Sequence, residues 1–189
     1  HGHTLYTAIE ASLQGGVKAV QLREKDLSPE ALLPLAKQLR ALTISYGALL
    51  FINDNIDIAL AVKADGVHLG SHSEATGIIR KKLGEEMLIG VSTHSKEELK
   101  IATKQGADFV TFGPVYATPS KAKYGKPQGL EKLAEACRNS SIPVFALGGI
   151  TPERAVEAQQ AGAKGVALIS AIIASSDPRV SAQAFTTCD

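Results

Sequence analysis

Arg23 and Lys25 stand two apart in Gln21-Leu22-Arg23-Glu24-Lys25-Asp26, so in an extended backbone they project to the same side. Together with Lys121, in Thr118-Pro119-Ser120-Lys121, they would make a site of three cations. Three converging cations call for a strongly anionic ligand, phosphate or pyrophosphate. Solvated surface charge is the competing explanation for any one of them. The alternation directly after a buried-type apolar run favours the site. Gly148-Gly149 would let a backbone approach a ligand closely, and Thr151-Pro152 then opens a helix whose N–H groups suit an anion. Ile169-Ser170 adds a hydroxyl, although a glycine pair also serves plain turns. Asn53-Asp54 could hold a divalent cation or orient an amine; the plainer alternative is a turn and helix cap. His68 is either a satisfied core histidine or a ligand contact. His94 is expected to cap or to lie at the surface, His72 has no supporting constellation, and Cys137 belongs to the core face of a helix. No nucleophile triad, zinc spacing or dinucleotide fingerprint is present in the sequence.

These residues need elements to position them. Strand-like runs occupy 18–22, 49–53, 66–69, 88–91, 108–112, 144–147 and 165–169. Each is apolar almost continuously, as strands buried on both faces of a parallel sheet are. Helical patterns fill the gaps at 29–42, 57–62, 75–83, 96–105, 130–137 and 152–161, and the chain opens on a helix over 4–14. Ser28-Pro29-Glu30, Ser95-Lys96-Glu97-Glu98 and Thr151-Pro152-Glu153 read as helix starts. A helix-to-strand junction recurs at every second strand, in 16–20, 64–67, 106–110 and 162–166. The pattern predicts an α/β fold of the (β/α)8 TIM-barrel type, in one domain over 1–189. An eighth strand would have to precede His1, so the barrel is expected to be N-terminally incomplete. The candidate residues stand at the ends of strand runs or in the segments after them, where such barrels build their sites.

Composition narrows the field further. The chain has 189 residues, 20 Lys+Arg against 19 Asp+Glu, and 44% hydrophobic residues. That balance excludes a basic nucleic-acid binder and a disordered chain. The apolar runs are far shorter than the about 20 residues that span a bilayer. Two cysteines, Cys137 and Cys188, make no disulfide framework, so a reducing cytoplasm is expected. The residues alone thus point to small phosphorylated or pyrophosphorylated substrates, with Mg2+ as a candidate cofactor. Oligomeric state stays open.

Six motifs occur in a fixed order: 20–26 (VQLREKD), 52–54 (IND), 64–70 (ADGVHLG), 89–95 (IGVSTHS), 112–116 with 118–121 (FGPVY, TPSK) and 146–150 (ALGGI). Together they resemble thiamine phosphate synthases and their sister branch, the TenI-like thiazole tautomerases, from about Leu5 to Ala174. The resemblance implies a transferase that joins a hydroxymethylpyrimidine pyrophosphate to a thiazole phosphate and releases pyrophosphate. It implies that Arg23, Lys25, Asn53 and Lys121 hold the pyrophosphate and that Gln21 faces the pyrimidine. Ser92 would lie near the reacting centre, forming with Arg23, Lys25 and Lys121 the catalytic group. Thr118, Ser120, Gly149, Ile169 and Ser170 would hold the thiazole phosphate, with Gly148 a further substrate-binding candidate, and Asp54 would ligate Mg2+. The synthase pattern continues after Gly70 with Gln-Glu-Asp, whose Asp is the second metal ligand. Here Ser71-His72-Ser73 stand instead, so Ser73 would offer a neutral oxygen and the metal site loses one negative charge. The tautomerase branch needs no metal but carries a histidine where this chain has Pro114. The Pro114 loop and Thr118-Pro119-Ser120-Lys121 favour the synthase. A tautomerase using His68 or His94 as base, and a non-catalytic binding or regulatory paralogue, are the alternatives.

Overall fold

The computed structural model describes residues 4–70, 73–118 and 126–186. Helices and strands alternate: α1 (Leu5–Gln14), β1 (Ala19–Leu22), α2 (Pro29–Ser45), β2 (Leu49–Asn53), α3 (Ile56–Ala61), β3 (Gly66–Leu69), α4 (Thr76–Leu83), β4 (Leu88–Thr93), α5 (Lys96–Lys104), β5 (Phe109–Phe112), α6 (Gly129–Arg138), β6 (Val144–Leu147), α7 (Pro152–Gln160), β7 (Gly165–Ala167), α8 (Ser170–Ile173) and α9 (Pro178–Thr186). Strand order is chain order, and the pairings within the sheet are parallel. The seven apolar runs are therefore the seven described strands. The three expected helix starts are real. Ser28, Ser95 and Thr151 accept from the N–H of Ala31, Glu98 and Arg154, each satisfying a donor that the first helical turn leaves over.

Two compact units divide the chain. One comprises His1–His68, Glu86–Leu88 and Ile169–Asp189; the other comprises Leu69–Glu85 and Ile89–Leu168. In the first, Leu39, Leu50, Ile52 and Val67 are shut off from solvent. In the second, Ile89, Leu99, Val110, Phe112, Leu133 and Ala146 are equally buried.

Each unit contains one aspartate hook. In the first, Asp65 Oδ2 accepts from Arg40 Nη1 of α2 at 2.6 Å and from Leu50 N of β2 at 2.7 Å. In the second, Asp108 Oδ2 accepts from Arg80 Nη2 of α4 and from Ile89 N of β4, the latter at 2.7 Å. Both aspartates sit in the recurring junction, just ahead of a strand, and both tie the N–H of the second residue of the preceding strand to the helix before it. Lys18 and Lys164 take that place in the other two copies.

One expectation is corrected at the end of the chain, and one helix is added. The last strand stops at Ala167, because Ile169 turns to φ −127 and ψ −86 and opens the short helix α8. Helix α9 was not anticipated. Its start signal is nevertheless present in the sequence: Pro178 begins it, and Asp177 Oδ1 accepts from Val180 N at 3.0 Å. It packs on the end of α1 so closely that a Cβ on Gly15 would lie 2.5 Å from Arg179 O.

Candidate active site

In the first unit the polar candidates lie at the C-terminal ends of β1, β2 and β3 or just after them. Gln21 is paired in register with Phe51, and Asn53 with His68. Paired residues on parallel strands show their side chains on one face of the sheet, so Asn53 and His68 share a face. Arg23 and Lys25 follow the last residue of β1 and are exposed. Asp54 is exposed as well, with φ 60, a left-handed conformation that aspartate tolerates better than most residues. Its N–H donates to His68 O at 3.0 Å, and its Oδ2 accepts from Asn53 Nδ2 at 2.8 Å. The cap of α3 is the next residue, Asn55, whose Oδ1 accepts from Ile58 N. The Asn53-Asp54 pair is therefore not the helix cap.

His68 is 5% exposed. Burial pushes its pKa down to about 4; the Asp54 carboxylate opposes that and the Arg23 guanidinium adds to it. The imidazole is thus neutral near pH 7, and it feels both Arg23 and Asp54. Ile169 and Ser170 also belong to this unit and are exposed, Ile169 capping α8.

In the second unit, Ser92 of β4 is half-buried and in register with Thr111 of β5, which pairs in turn with Phe145 of β6. The three side chains share a face. Thr111 went unnoticed in the sequence because its hydroxyl lies inside an apolar run. It is buried, and among the described residues its Oγ1 has no hydrogen-bond partner. His94 is half-buried, its Nδ1 lying 2.5 Å from Gly113 O and its N–H donating to Glu98. Ser73 Oγ accepts from Gly70 N at 2.6 Å. Thr118 is half-buried. Ser120 and Lys121 lie outside the described residues, as do Ser71, His72 and Cys188.

Gly148 and Gly149 form the bend after β6, with φ of 98 and 65. Their lack of a Cβ has an internal cause. A Cβ on Gly148 would sit 2.6 Å from Pro114 Cβ, and one on Gly149 would sit 2.6 Å from Ala117 O and 2.9 Å from Tyr116 Cβ. The close approach is to the segment after β5, which the sequence could not reveal. Thr151 caps α7 immediately beyond.

A Mg2+ ion is the group that the resemblance implies. Among the described residues no group of three His, Cys, Asp or Glu side chains forms a ready-made cage. Mg2+ does not need one: a single carboxylate with phosphate oxygens and water suffices. Asp54, exposed at a strand end, fits that mode.

In each unit the polar candidates lie at or just past the carboxyl ends of parallel strands, the layout of an α/β-barrel enzyme that handles anionic small molecules. Relatives narrow this class. Residues 1–172 match the family model described as thiamine monophosphate synthase, and the chain belongs to that family. A Geobacter sulfurreducens protein named "Putative thiamine-phosphate synthase" is 55% identical over 97% of this chain and 86% of its own length. A thiamine-phosphate synthase of Synechocystis sp. is 47% identical over 92% of this chain, which spans 50% of that longer protein. The solved structure of thiamine phosphate pyrophosphorylase from Pyrococcus furiosus superposes with a TM-score of 0.91 at 34% identity, covering 97% of this chain and 88% of that one. The fold is accordingly of the (β/α) TIM-barrel type.

Proposed function

We propose that the chain couples hydroxymethylpyrimidine pyrophosphate to thiazole phosphate, releasing pyrophosphate. The observation that carries this reading is the cluster of Arg23, Asn53, Asp54 and neutral His68 at the ends of three adjacent strands, in a chain whose relatives are named for that synthesis. The C–O bond to the pyrophosphate breaks, leaving a resonance-stabilised pyrimidine cation, and the thiazole nitrogen then forms the new C–N bond. Arg23, Lys25, Asn53 and Lys121 bind the pyrophosphate and oppose the charge that builds on its departing oxygen. Gln21 orients the pyrimidine. His68 stays uncharged, so it adds no cation beside the developing positive centre. Ser92 adjoins the reacting atoms. Thr118, Ser120, Gly148, Gly149, Ile169 and Ser170 hold the thiazole phosphate. Asp54 would hold Mg2+, which when bound neutralises leaving-group charge. Ser73, engaged with Gly70 N, supplies a neutral oxygen at most. The same reading takes residues 1–189 as belonging to one domain at work in a reducing cytoplasm.

The test is to mix the two substrates with and without Mg2+ and follow pyrophosphate and thiamine phosphate. Metal-dependent release of both supports the synthase. Turnover of a thiazole carboxylate phosphate tautomer alone would replace it with the isomerase. Binding with neither reaction would leave a non-catalytic paralogue.

A further inference from the structure

The glycine bend after β6 is held by its carbonyls. Leu147 O accepts from Val115 N at 2.8 Å, Gly148 O from Tyr116 N at 3.0 Å, and Gly149 O from Arg154 Nη1 at 2.7 Å. In a trans peptide the N–H points opposite to the carbonyl of the same unit. Turning these carbonyls toward residues 115, 116 and 154 therefore turns the N–H groups of Gly148, Gly149 and Ile150 the other way. Successive N–H groups facing one side make a concavity suited to an anion.

Arg154 is the one side chain among those three donors. It comes from α7, and its guanidinium carbon lies over the Tyr116 ring, 4.6 Å from the centroid. The Tyr116 hydroxyl donates to Glu157 Oε2 at 2.5 Å, and Glu157 is one turn further along α7. The ring is thus pinned at its edge and covered on its face. The bend also lies against the Tyr116 backbone as tightly as glycine permits.

Resting on the reading that this bend holds the thiazole phosphate, we propose that Arg154, seated on Tyr116, is a positioning residue that orients the Gly149–Ile150 peptide so that its N–H meets that phosphate. A planar guanidinium can stack and donate at once; an ammonium holds charge without that fork.

The test compares wild type, Arg154→Ala and Arg154→Lys by steady-state kinetics, and by calorimetric binding of thiazole phosphate alone. Arg154→Ala should raise the KM and Kd for thiazole phosphate about tenfold, the effect of a small misplacement, and leave the pyrimidine pyrophosphate KM within about twofold. Arg154→Lys should recover part of the loss. A merely structural role would lower the active fraction and leave both KM values alone. The inference is overturned if Arg154→Ala leaves thiazole phosphate affinity unchanged, if both KM values rise alike, or if the lysine variant equals wild type. A wild-type protein that binds thiazole phosphate but makes no thiamine phosphate sinks the synthase reading only, and the Kd ratio still decides the role of Arg154. Wild type that binds no thiazole phosphate sinks both.

Discussion

His68 illustrates what one side chain contributes. Folded, its imidazole loses its proton near pH 4; unfolded, it does so at the ordinary histidine value of 6.5. Between those values the unfolded chain binds more protons, so stability is complete above the unfolded pKa and falls as the pH drops through the window. We expect urea unfolding of the metal-free protein to lose on the order of 2 kcal/mol between about pH 7 and about pH 5 from this group. In His68→Asn that part of the slope should vanish; an unchanged slope would assign it to other groups. Ser73 makes a second residue-scale case. Its hydroxyl accepts from Gly70 N, and a carboxylate can accept the same bond while adding charge. Ser73→Asp should therefore keep the melting temperature and lower the Mg2+ needed for half-maximal synthesis by about threefold or more. An unaltered metal requirement would remove Ser73 from the metal position. The identity of these residues was legible because each follows an apolar run. The neutral state of His68 was not, since it depends on how deeply β3 is covered.

At the scale of elements, the recurring junctions could be read from the sequence as places where a helix gives way to a strand. Their fastening could not, because Arg40 and Asp65 are 25 residues apart, and Arg80 and Asp108 are 28 apart. Nothing local ties a particular arginine to a particular carboxylate. The ion pairs are partly buried, with 12% of the Arg80 side chain exposed. Removing Asp108 takes the acceptor from Ile89 N, whereas Arg80 keeps its bonds to Gly84 O and Gly106 O, so the cost falls on the strand N–H and the lost ion pair. Asp108→Ala should lower unfolding free energy by about 1–3 kcal/mol, and Asp108→Asn by about half as much because its amide oxygen can still accept from Ile89 N. A loss under about 0.5 kcal/mol for the alanine variant would mean that water replaces the carboxylate. Helix α9 is the opposite case. Asp177-Pro178 marked its start, yet nothing in the sequence announced that Gly15 would receive it.

For the whole molecule, strand order, strand count and family membership were all carried by local pattern: continuous apolar runs, caps and six ordered motifs. What escaped was tertiary proximity. The glycine bend was expected to spare room for a ligand, but its bare backbone also accommodates Pro114, Tyr116 and Ala117. The pairing of Arg154 with Tyr116 joins two segments that share no local signal. A net charge of +1 means that anionic substrates meet no strong overall field. Attraction must then come from nearby cations, so kcat/KM should change by less than about threefold between about 0.05 M and about 0.2 M salt. A steeper fall would reveal a wider basic surface. The aspartate hooks carry one more implication. Each fastens a helix–strand–helix–strand stretch to itself, α2 to β3 in one case and α4 to β5 in the other. Such a block brings its own latch, so duplicating or grafting the corresponding piece of gene would move a ready-closed pair of strands with its helices, without redrafting the pieces on either side.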